Sequence, residues 1–435
     1  MKRLLSVIAV LLSSFMAIAQ SGLEGTWHGR LSFPGGELTL VFHIDPENST
    51  FDSPDQMAFG LEAEIKELNG SKVSVEVPSI GVKFEGNLML GLLVGRFSQA
   101  GLELPLSLKR GEPQRNRPQT PKPPYPYLTE EVTFPNPEDG TVLSGTLSIP
   151  QDAGKDTPVV LLVSGSGLQD RNEEIFAHKP FHVIADHFAR NGIATLRYDD
   201  RSVGKSSGEA AGATTETFMR DAEAGLDFLK SLDRFGNIGL AGHSEGGLIG
   251  FILAGRGLTD FIISLAGPAV KGSDCIIGQN RKLLEASGVP STTAAAYCRV
   301  LEEIYGNPGL TKERLGELSV AVPESMRKNL ENIYEADDPW INHFVSFDPA
   351  EHISKITCPV MAVNGGKDMQ VIAESNIGRL EALLKESGGN LLKTYPELNH
   401  MFQHCTTGLP DEYGKIEETI SEEVLQDMTT WINSL

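Results

Sequence analysis

One short segment of the chain carries the residues of a serine nucleophile. Positions 242–246 read GHSEG, a Gly-x-Ser-x-Gly pattern centred on Ser244, and Gly247 follows it. An apolar run at 238–241 precedes the pattern, and a helix-compatible run at 248–254 follows it. This order predicts a sharp turn between a strand and a helix, where small residues let the backbone present Ser244 at the carboxyl end of the strand.

A serine hydroxyl needs a base to take its proton, and the base needs an acid to orient it. Asp368 follows an apolar run at 359–364, and His400 follows the next strand-like run. Both residues are expected at strand ends that converge on Ser244, in the chain order serine, acid, histidine. We therefore predict a triad of Ser244, Asp368 and His400. The competing candidates for the acid and the base are Asp274, His343 and His404.

The negative charge that develops on a carbonyl oxygen during attack by a serine needs two preorganised backbone donors. One is predicted to be the amide of Glu245, directly after the nucleophile. The other should lie in the Gly/Ser-rich 164–168 loop, which follows the first apolar strand of this region. Ser166 is our choice in that loop and Gly167 the alternative. The plainer interpretation is that small residues only make the loop flexible.

The elements that must hold these residues follow from the hydrophobic pattern. From residue 128 onward, continuous apolar runs alternate with helical segments, which predicts an α/β fold with a doubly wound, mostly parallel sheet. Most of the stretch at about 271–347 has a helical pattern of mixed polarity, and an insertion of this size at the strand ends is placed to form a cap. Trp340 and Phe344 would be i, i+4 neighbours there. We predict that they contact substrate, with packing inside the cap as the open alternative.

The preceding part of the chain has a different pattern. Residues 20–112 contain short period-2 runs separated by Gly and Asn, and a Pro-Gly-Gly turn at 34–36 predicts a hairpin. A small antiparallel β domain is expected. Residues 113–127 contain six prolines and no acidic residue, which is typical of a semi-rigid linker. The α/β domain is predicted to occupy 128–435.

The first residues have the pattern of an export signal. Two basic residues precede an apolar run at 4–18, and Ala17 and Ala19 supply the small residues that a signal peptidase recognises. We predict that 1–19 is a signal peptide and that the mature protein is periplasmic or secreted. A membrane anchor is the alternative, but the run is shorter than the roughly 20 apolar residues of a typical span.

Charge and cysteine content exclude some function classes. The chain has 37 Lys and Arg against 58 Asp and Glu, a formal net charge of -21, which argues against a nucleic-acid partner. Four cysteines without a CxxC pair predict neither a disulfide framework nor a zinc site. Whether Cys275 pairs with Cys298 stays open.

Together these residues resemble the α/β-hydrolase superfamily and, more narrowly, exported bacterial EstD-like esterases, often described as serine-aminopeptidase-like hydrolases. Leu168 and Ser202 depart from the family pattern, where Pro and Gly are expected, which puts the shape of the pocket in question but not the triad. The matching residues are 164–167 (SGSG) with 169–171 (QDR), 197–199 (RYD) with Arg201 and 204–206 (GKS), 242–247 (GHSEGG), Trp340 with 348–349 (DP), 364–365 (NG) with 367–368 (KD), and 399–403 (NHMFQ).

The resemblance implies hydrolysis of small-molecule carboxylic esters through an acyl-enzyme, without a cofactor or metal. A β-rich N-terminal domain also accompanies the hydrolase in similar exported proteins. The alternative is a peptidase with the same triad, such as an aminopeptidase, which would need a carboxylate to hold the ammonium of its substrate. A binding or scaffold protein that kept the fold without the chemistry is a third possibility. The acidic residues that the cap offers are Glu302, Glu303, Asp337 and Asp338.

Overall fold

The structure is a computed structural model that describes residues 22–33, 36–56, 58–113, 115–385 and 389–435. The chain divides into two compact units, Met1–Asn116 and Arg117–Leu435. The predicted signal peptide and the first two residues of the Pro-Gly-Gly turn lie outside the described residues.

The first unit is an antiparallel sheet, as the alternating pattern predicted. Its nine strands run in the order β4-β3-β2-β1-β9-β8-β7-β6-β5, so the two edge strands are consecutive in the chain. Alternate side chains pack into one core around Trp27, Phe42 and Phe84. The strands are β1 (Gly25–Phe33), β2 (Gly36–Ile44), β3 (Thr50–Ser53), β4 (Ala58–Glu62), β5 (Glu64–Asn69), β6 (Lys72–Val77), β7 (Val82–Met89), β8 (Leu92–Gln99) and β9 (Leu102–Arg110). Two 3₁₀ turns cover Pro54–Gln56 and Pro78–Ile80.

The second unit is built on an eight-stranded mixed sheet of order β10-β11-β13-β12-β14-β15-β16-β17. The strands are β10 (Leu128–Pro135), β11 (Val142–Ile149), β12 (Val159–Val163), β13 (Ala194–Tyr198), β14 (Ile238–His243), β15 (Phe261–Leu265), β16 (Val360–Gly365) and β17 (Leu391–Tyr395). The β10–β11 and β11–β13 pairs are antiparallel, and all pairs along the sheet from β13 to β17 are parallel. Every residue of β12 to β16 is buried, which requires cover on both faces. The predicted α/β fold is confirmed.

Helices pack against this sheet and also form the predicted cap. Outside the cap, the helices of the second unit are α1 (Pro180–Arg190), α2 (Thr215–Ser231), α3 (Glu245–Gly255), α9 (Ala350–Ile353), α10 (Ala373–Leu383), α11 (Pro410–Tyr413) and α12 (Glu422–Ile432). The cap helices are α4 (Gly272–Ala286), α5 (Ser291–Gly306), α6 (Lys312–Leu318), α7 (Glu324–Glu335) and α8 (Pro339–Ser346), with a 3₁₀ turn at Ser319–Ala321. The cap has a small core of its own around Tyr297, Leu301 and Leu330. These five helices lie between Gly272 and Ser346, within the stretch at about 271–347 where the sequence predicted a helical insertion.

The start of the second unit is tied to a segment near its C-terminus. The guanidinium of Arg117 donates to the carbonyl oxygens of Gly414 and Ile416, both at 2.9 Å. Oε1 of Gln119 accepts the Thr419 amide at 2.5 Å. Part of the proline-rich stretch is therefore anchored, while its role as an interdomain linker stays a prediction.

Two further findings concern the cysteines and the helices. All four cysteines are free thiols in the structure. Among the described residues, no helix combines the length and apolar character that a bilayer span requires.

Candidate active site

Ser244 lies in the turn between β14 and α3. Its backbone has φ 51° and ψ -118°, a conformation that costs about 1–3 kcal/mol for a residue other than glycine. Ser244 is half-buried between two buried neighbours, His243 and Glu245. Its amide donates to the carbonyl oxygen of Leu265 at 2.8 Å. The chain therefore holds Ser244 in a strained turn that leaves it accessible.

The two glycines of the pentapeptide make this turn possible by close approach. A Cβ atom on Gly242 would lie 2.0 Å from the carbonyl oxygen of Gly246. A Cβ atom on Gly246 would lie 2.0 Å from the carbonyl oxygen of Val163 in β12. Both distances are far below van der Waals contact, so any side chain at either position would push α3 away from the sheet.

The predicted acid and base form a buried dyad. Nδ1 of His400 lies 2.7 Å from Oδ2 of Asp368, and the two side chains are 4% and 0% exposed. The other carboxylate oxygen of Asp368 accepts the amides of Gln370 at 2.7 Å and Val371 at 2.9 Å. Asp368 is thus an acceptor on every side, so Nδ1 of His400 carries a proton. In the neutral ring, Nε2 is then the free basic nitrogen.

The dyad lies close to the nucleophile turn. The ring centroid of His400 is 4.7 Å from that of His243, the residue before Ser244. The structure thus brings the three predicted triad residues to the carboxyl ends of β14, β16 and β17. Among the competitors, His404 is exposed and its Nδ1 lies 2.9 Å from Glu418, while Asp274 and His343 lie on the cap helices α4 and α8.

The 164–168 loop passes directly beside Ser244. A Cβ atom built on Gly165 would lie 3.3 Å from the Cβ of Ser244. The Gly165 amide donates to Oε1 of Glu173 at 2.7 Å and is not available to a substrate. The next amide, that of Ser166, donates to no acceptor within the described part of the chain.

The amide of Glu245 is the other predicted donor. It belongs to the first residue of α3, where backbone N–H groups have no partner inside the helix. No acceptor for it lies among the described residues. The helix N-terminus also favours negative charge at this point.

The side chain of Glu245 connects the turn to the cap. Its Oε1 accepts Oγ1 of Thr215 at 2.6 Å and Nε1 of Trp340 at 2.8 Å. Burial raises the pKa of Glu245, and the two hydrogen bonds oppose this shift. Trp340 stacks on Phe344, with ring centroids 5.2 Å apart. Phe344 is buried in the main core, whereas Trp340 packs at its edge.

A cleft of about 430 Å³ opens on the other side of Trp340. Its walls come from the loop before α2 and from the start of α8, and most of its lining residues are small. The lining residues are Ala210, Gly212, Ala213, Ala336, Asp337, Asp338, Pro339 and Trp340. Of the two residues predicted to contact substrate, Trp340 lines the cleft and Phe344 does not.

Asp200 is a second carboxylate, besides Glu173, that binds the 164–168 loop. Its oxygens accept Oγ of Ser164 at 3.1 Å and the amide of Gln169 at 2.8 Å. Burial raises the pKa of Asp200 to about 7; the bonds from Gln169 and Ser164 oppose this rise, and the charges of Asp221 and Glu173 add to it. The loop is therefore held at both ends by one buried acid.

Sequence reasoning missed the residues that support the site. Glu173, Asp200 and Thr215 each contact a predicted site residue or its loop, yet none was singled out. His243 was noted only as part of the pentapeptide. The buried state that distinguishes these residues has no signal in a single sequence, because acidic and hydroxyl residues are common throughout the chain.

The raised pKa of Asp200 predicts how its contribution to stability depends on pH. Because this pKa is about 7 in the folded protein and about 3.9 when unfolded, the folded state binds more protons in between. The stability contributed by Asp200 therefore falls as the pH rises from about 4 to about 7, by up to about 1.4 kcal/mol per pH unit. An Asn at this position can accept from Gln169 and donate to Ser164. Asp200→Asn should consequently gain stability over the wild type through this window.

The measurement is the free energy of unfolding in urea across that pH range. Asp227→Asn, on an exposed aspartate of α2, is the matched control for the removal of one carboxylate. A difference between Asp200→Asn and the wild type that stayed constant with pH would contradict the prediction.

The chain is similar to a known protein family and to a curated esterase. The family model described as serine aminopeptidase, S33, matches residues 177–326. The esterase EstD of Thermotoga maritima is 26% identical over 294 residues, 67% of this chain. The match spans 65% of the length of EstD, just under two thirds.

Solved esterases are similar over most of their own length. Est1E of Butyrivibrio proteoclasticus, solved with ferulic acid bound, has 20% identity and a TM-score of 0.45 over 70% of this chain and 98% of its own. The Pyrococcus furiosus esterase Pf2001 has 15% identity and a TM-score of 0.45 over 75% and 98%. Residues 117–435 have an α/β fold, and the chain is similar to the esterase EstD and, over 177–326, to the S33 serine aminopeptidase family.

Proposed function

We propose that this protein hydrolyses small-molecule carboxylic esters through an acyl-enzyme on Ser244. The observation that carries the proposal is the buried Asp368–His400 dyad beside a strained, accessible serine. The similarity to EstD supports the ester as the substrate class.

The geometry supports a double-displacement mechanism. Nε2 of His400 takes the hydroxyl proton of Ser244 while Oγ attacks the carbonyl carbon. Asp368 keeps the ring in the required tautomer and stabilises its charged form. The imidazolium then gives its proton to the departing alcohol, which leaves an acyl group on Ser244. A water molecule, deprotonated by His400, attacks this acyl group, and proton return to Ser244 releases the acid.

Two backbone amides are placed to stabilise the tetrahedral intermediates. The Ser166 and Glu245 amides have no acceptor among the described residues; Glu245 directly follows Ser244, and Ser166 follows Gly165, which lies beside Ser244. We assign them to the oxyanion hole. In other hydrolases, the loss of one such donor costs about 10²–10³ in kcat. We assign Trp340 to substrate contact, because it lines the cleft and its Nε1 donates to the side chain of Glu245, the residue after Ser244. Phe344 acts by supporting Trp340 from the core.

The triad assignment predicts the behaviour of three variants. Ser244→Ala and His400→Ala should each lower kcat for a p-nitrophenyl ester by a factor on the order of 10⁴ or more, because the triad acts as a unit. His404→Ala is the matched control, since His404 is exposed and pairs only with Glu418 among the described residues. A fluorophosphonate should label Ser244 in the wild type. Ordinary turnover by Ser244→Ala would disprove the assignment.

A peptidase is the second candidate, and one observation favours it. Asp337 and Asp338 line the cleft beside Trp340, where a carboxylate could hold an ammonium group. Asp338 already caps α8 by accepting the amides of Trp340 and Ile341. Asp337 accepts a longer bond, 3.3 Å, from Asn342, so it is the better candidate.

Parallel assays with short acyl p-nitrophenyl esters and aminoacyl p-nitroanilides separate these candidates. We expect higher kcat/KM for the esters and little change in ester turnover in Asp337→Asn. Glu303→Gln, on an exposed acid of α5, is the control. Dominant amide cleavage that falls tenfold or more in Asp337→Asn alone would establish the peptidase instead.

We also propose that residues 1–19 direct export and are then removed. The support is the sequence pattern of two basic residues, an apolar run and small residues at 17 and 19. When the full chain is expressed in a Gram-negative host, the periplasmic product should begin at Gln20 by intact mass. Replacing the two basic residues by glutamate should reduce that fraction. A product that kept residues 1–19 and stayed with the membrane would favour the anchor.

A further inference from the structure

A second acid–histidine pair lies behind the proposed triad, and the mechanism above does not use it. Oε1 of Glu173 lies 2.9 Å from Nδ1 of His243, and the two side chains are 6% and 9% exposed. The same oxygen accepts the Gly165 amide at 2.7 Å. Nε2 of His243 lies 3.0 Å from the carbonyl oxygen of His400. Two side chains thus connect the 164–168 loop, the residue before the nucleophile and the backbone of the base.

The donors and acceptors determine where the protons of this pair lie. A carbonyl oxygen only accepts, so Nε2 of His243 carries a proton and donates it to His400. The contact with Glu173 also needs a proton, because an unprotonated Nδ1 would set its lone pair against a carboxylate oxygen. Burial opposes a charged ring, yet the charge and hydrogen bond of Glu173, the His400 carbonyl and the charge of Asp368 together raise the pKa of His243. The contact between Glu173 and His243 therefore contains a proton in addition to the one on Nε2.

Nothing around the pair can replace these bonds. The gap beside Glu173 and His243 is only about 10 Å³, at the lower limit for a single water molecule. Loss of either partner would remove one of the two hydrogen bonds described for the other buried side chain, which is costly. The other residues that line the gap are all apolar: Pro180, Phe181, Ile184, Leu265, Met401, Phe402 and Ile420.

The bonds of the pair reach the groups whose placement decides the rate. The Gly165 amide is one peptide away from the Ser166 amide, so its bond to Glu173 sets the direction of the proposed oxyanion donor. Asp368 fixes the ring of His400 and His243 fixes its backbone, so the base is held at two points. A displacement of about 1 Å in such groups can cost about 10²-fold in rate.

We propose that Glu173 and His243 are positioning residues that hold the 164–168 loop and His400 in place around Ser244 through one shared proton. The inference rests on the proposed function, because it assigns the pair a part in that reaction. Neither side chain touches the reacting atoms, so the pair acts through Gly165 and His400.

The test compares Glu173→Gln, His243→Gln and the double variant with the wild type. Active sites are titrated with a fluorophosphonate, and kcat and KM for a p-nitrophenyl ester are measured per titrated site. Thermal unfolding reports the folded fraction. The matched controls are Glu174→Gln and His404→Gln, since Glu174 is the exposed neighbour of Glu173 and His404 is an exposed histidine of the same loop as His400.

We expect kcat per titrated site to fall about 10–100-fold in each single variant, with KM changed less than about threefold. The double variant should lose no more than the worse single one, because the residues act as a unit. The controls should keep the wild-type kcat. If a variant folds poorly, the rate at which fluorophosphonate labels Ser244 in its folded fraction gives the same comparison.

Two results would overturn the proposal, and they differ from failure of the function itself. Variants that are less stable but keep wild-type kcat and labelling rate would show a purely structural role. A loss confined to KM would show a role in substrate binding. A wild type that neither labels nor turns over esters would overturn the proposed function and this inference together.

Discussion

The strained backbone at Ser244 is the constraint on which the rest of the site depends. A residue other than glycine holds φ 51° only if its surroundings leave it no alternative. Here β14 enters the turn from the centre of the sheet, and α3 leaves it packed closely against β12 through Gly246. Packing in the core of the second unit thus stabilises the strained turn and keeps the serine accessible. The cap and the loops lie around this turn.

Buried carboxylates then fix the loops around this turn. Glu173 and Asp200 hold the 164–168 loop, and Glu245 holds Trp340. Burying a carboxylate is unfavourable unless hydrogen bonds compensate it, and each of these accepts at least two. The raised pKa values of Asp200 and Glu245 show that compensation is incomplete. These buried carboxylates therefore lower the stability of the fold close to Ser244, where the proposed reaction depends on the orientation of the amides and loops.

The sequence was sufficient for the elements whose burial is complete. Strands such as β12 and β16 are apolar throughout because both faces are covered, so continuous apolar runs located them. The edge strand β5 gives no such signal, since its sequence EIKELN is charged and only partly buried. The nucleophile turn and Asp368 could be selected because each follows such a run, and His400 because it follows the partly buried strand β17. The Asp368–His400 contact then needed only the order of the strands.

Residues that support the site could not be found in this way, because neighbours of the same type have opposite surroundings. Glu173 is buried and accepts two hydrogen bonds, whereas Glu174 is exposed and pairs with Lys179. Nothing in the local sequence separates them; the difference arises when the loop after β12 packs against His243, which lies seventy residues further along the chain. The residues proposed to react therefore have a recognisable sequence pattern. The residues that position them are determined by packing between segments far apart in the chain. For this site, the proposed reacting groups could be derived from spacing, and their mutual alignment only from the folded structure.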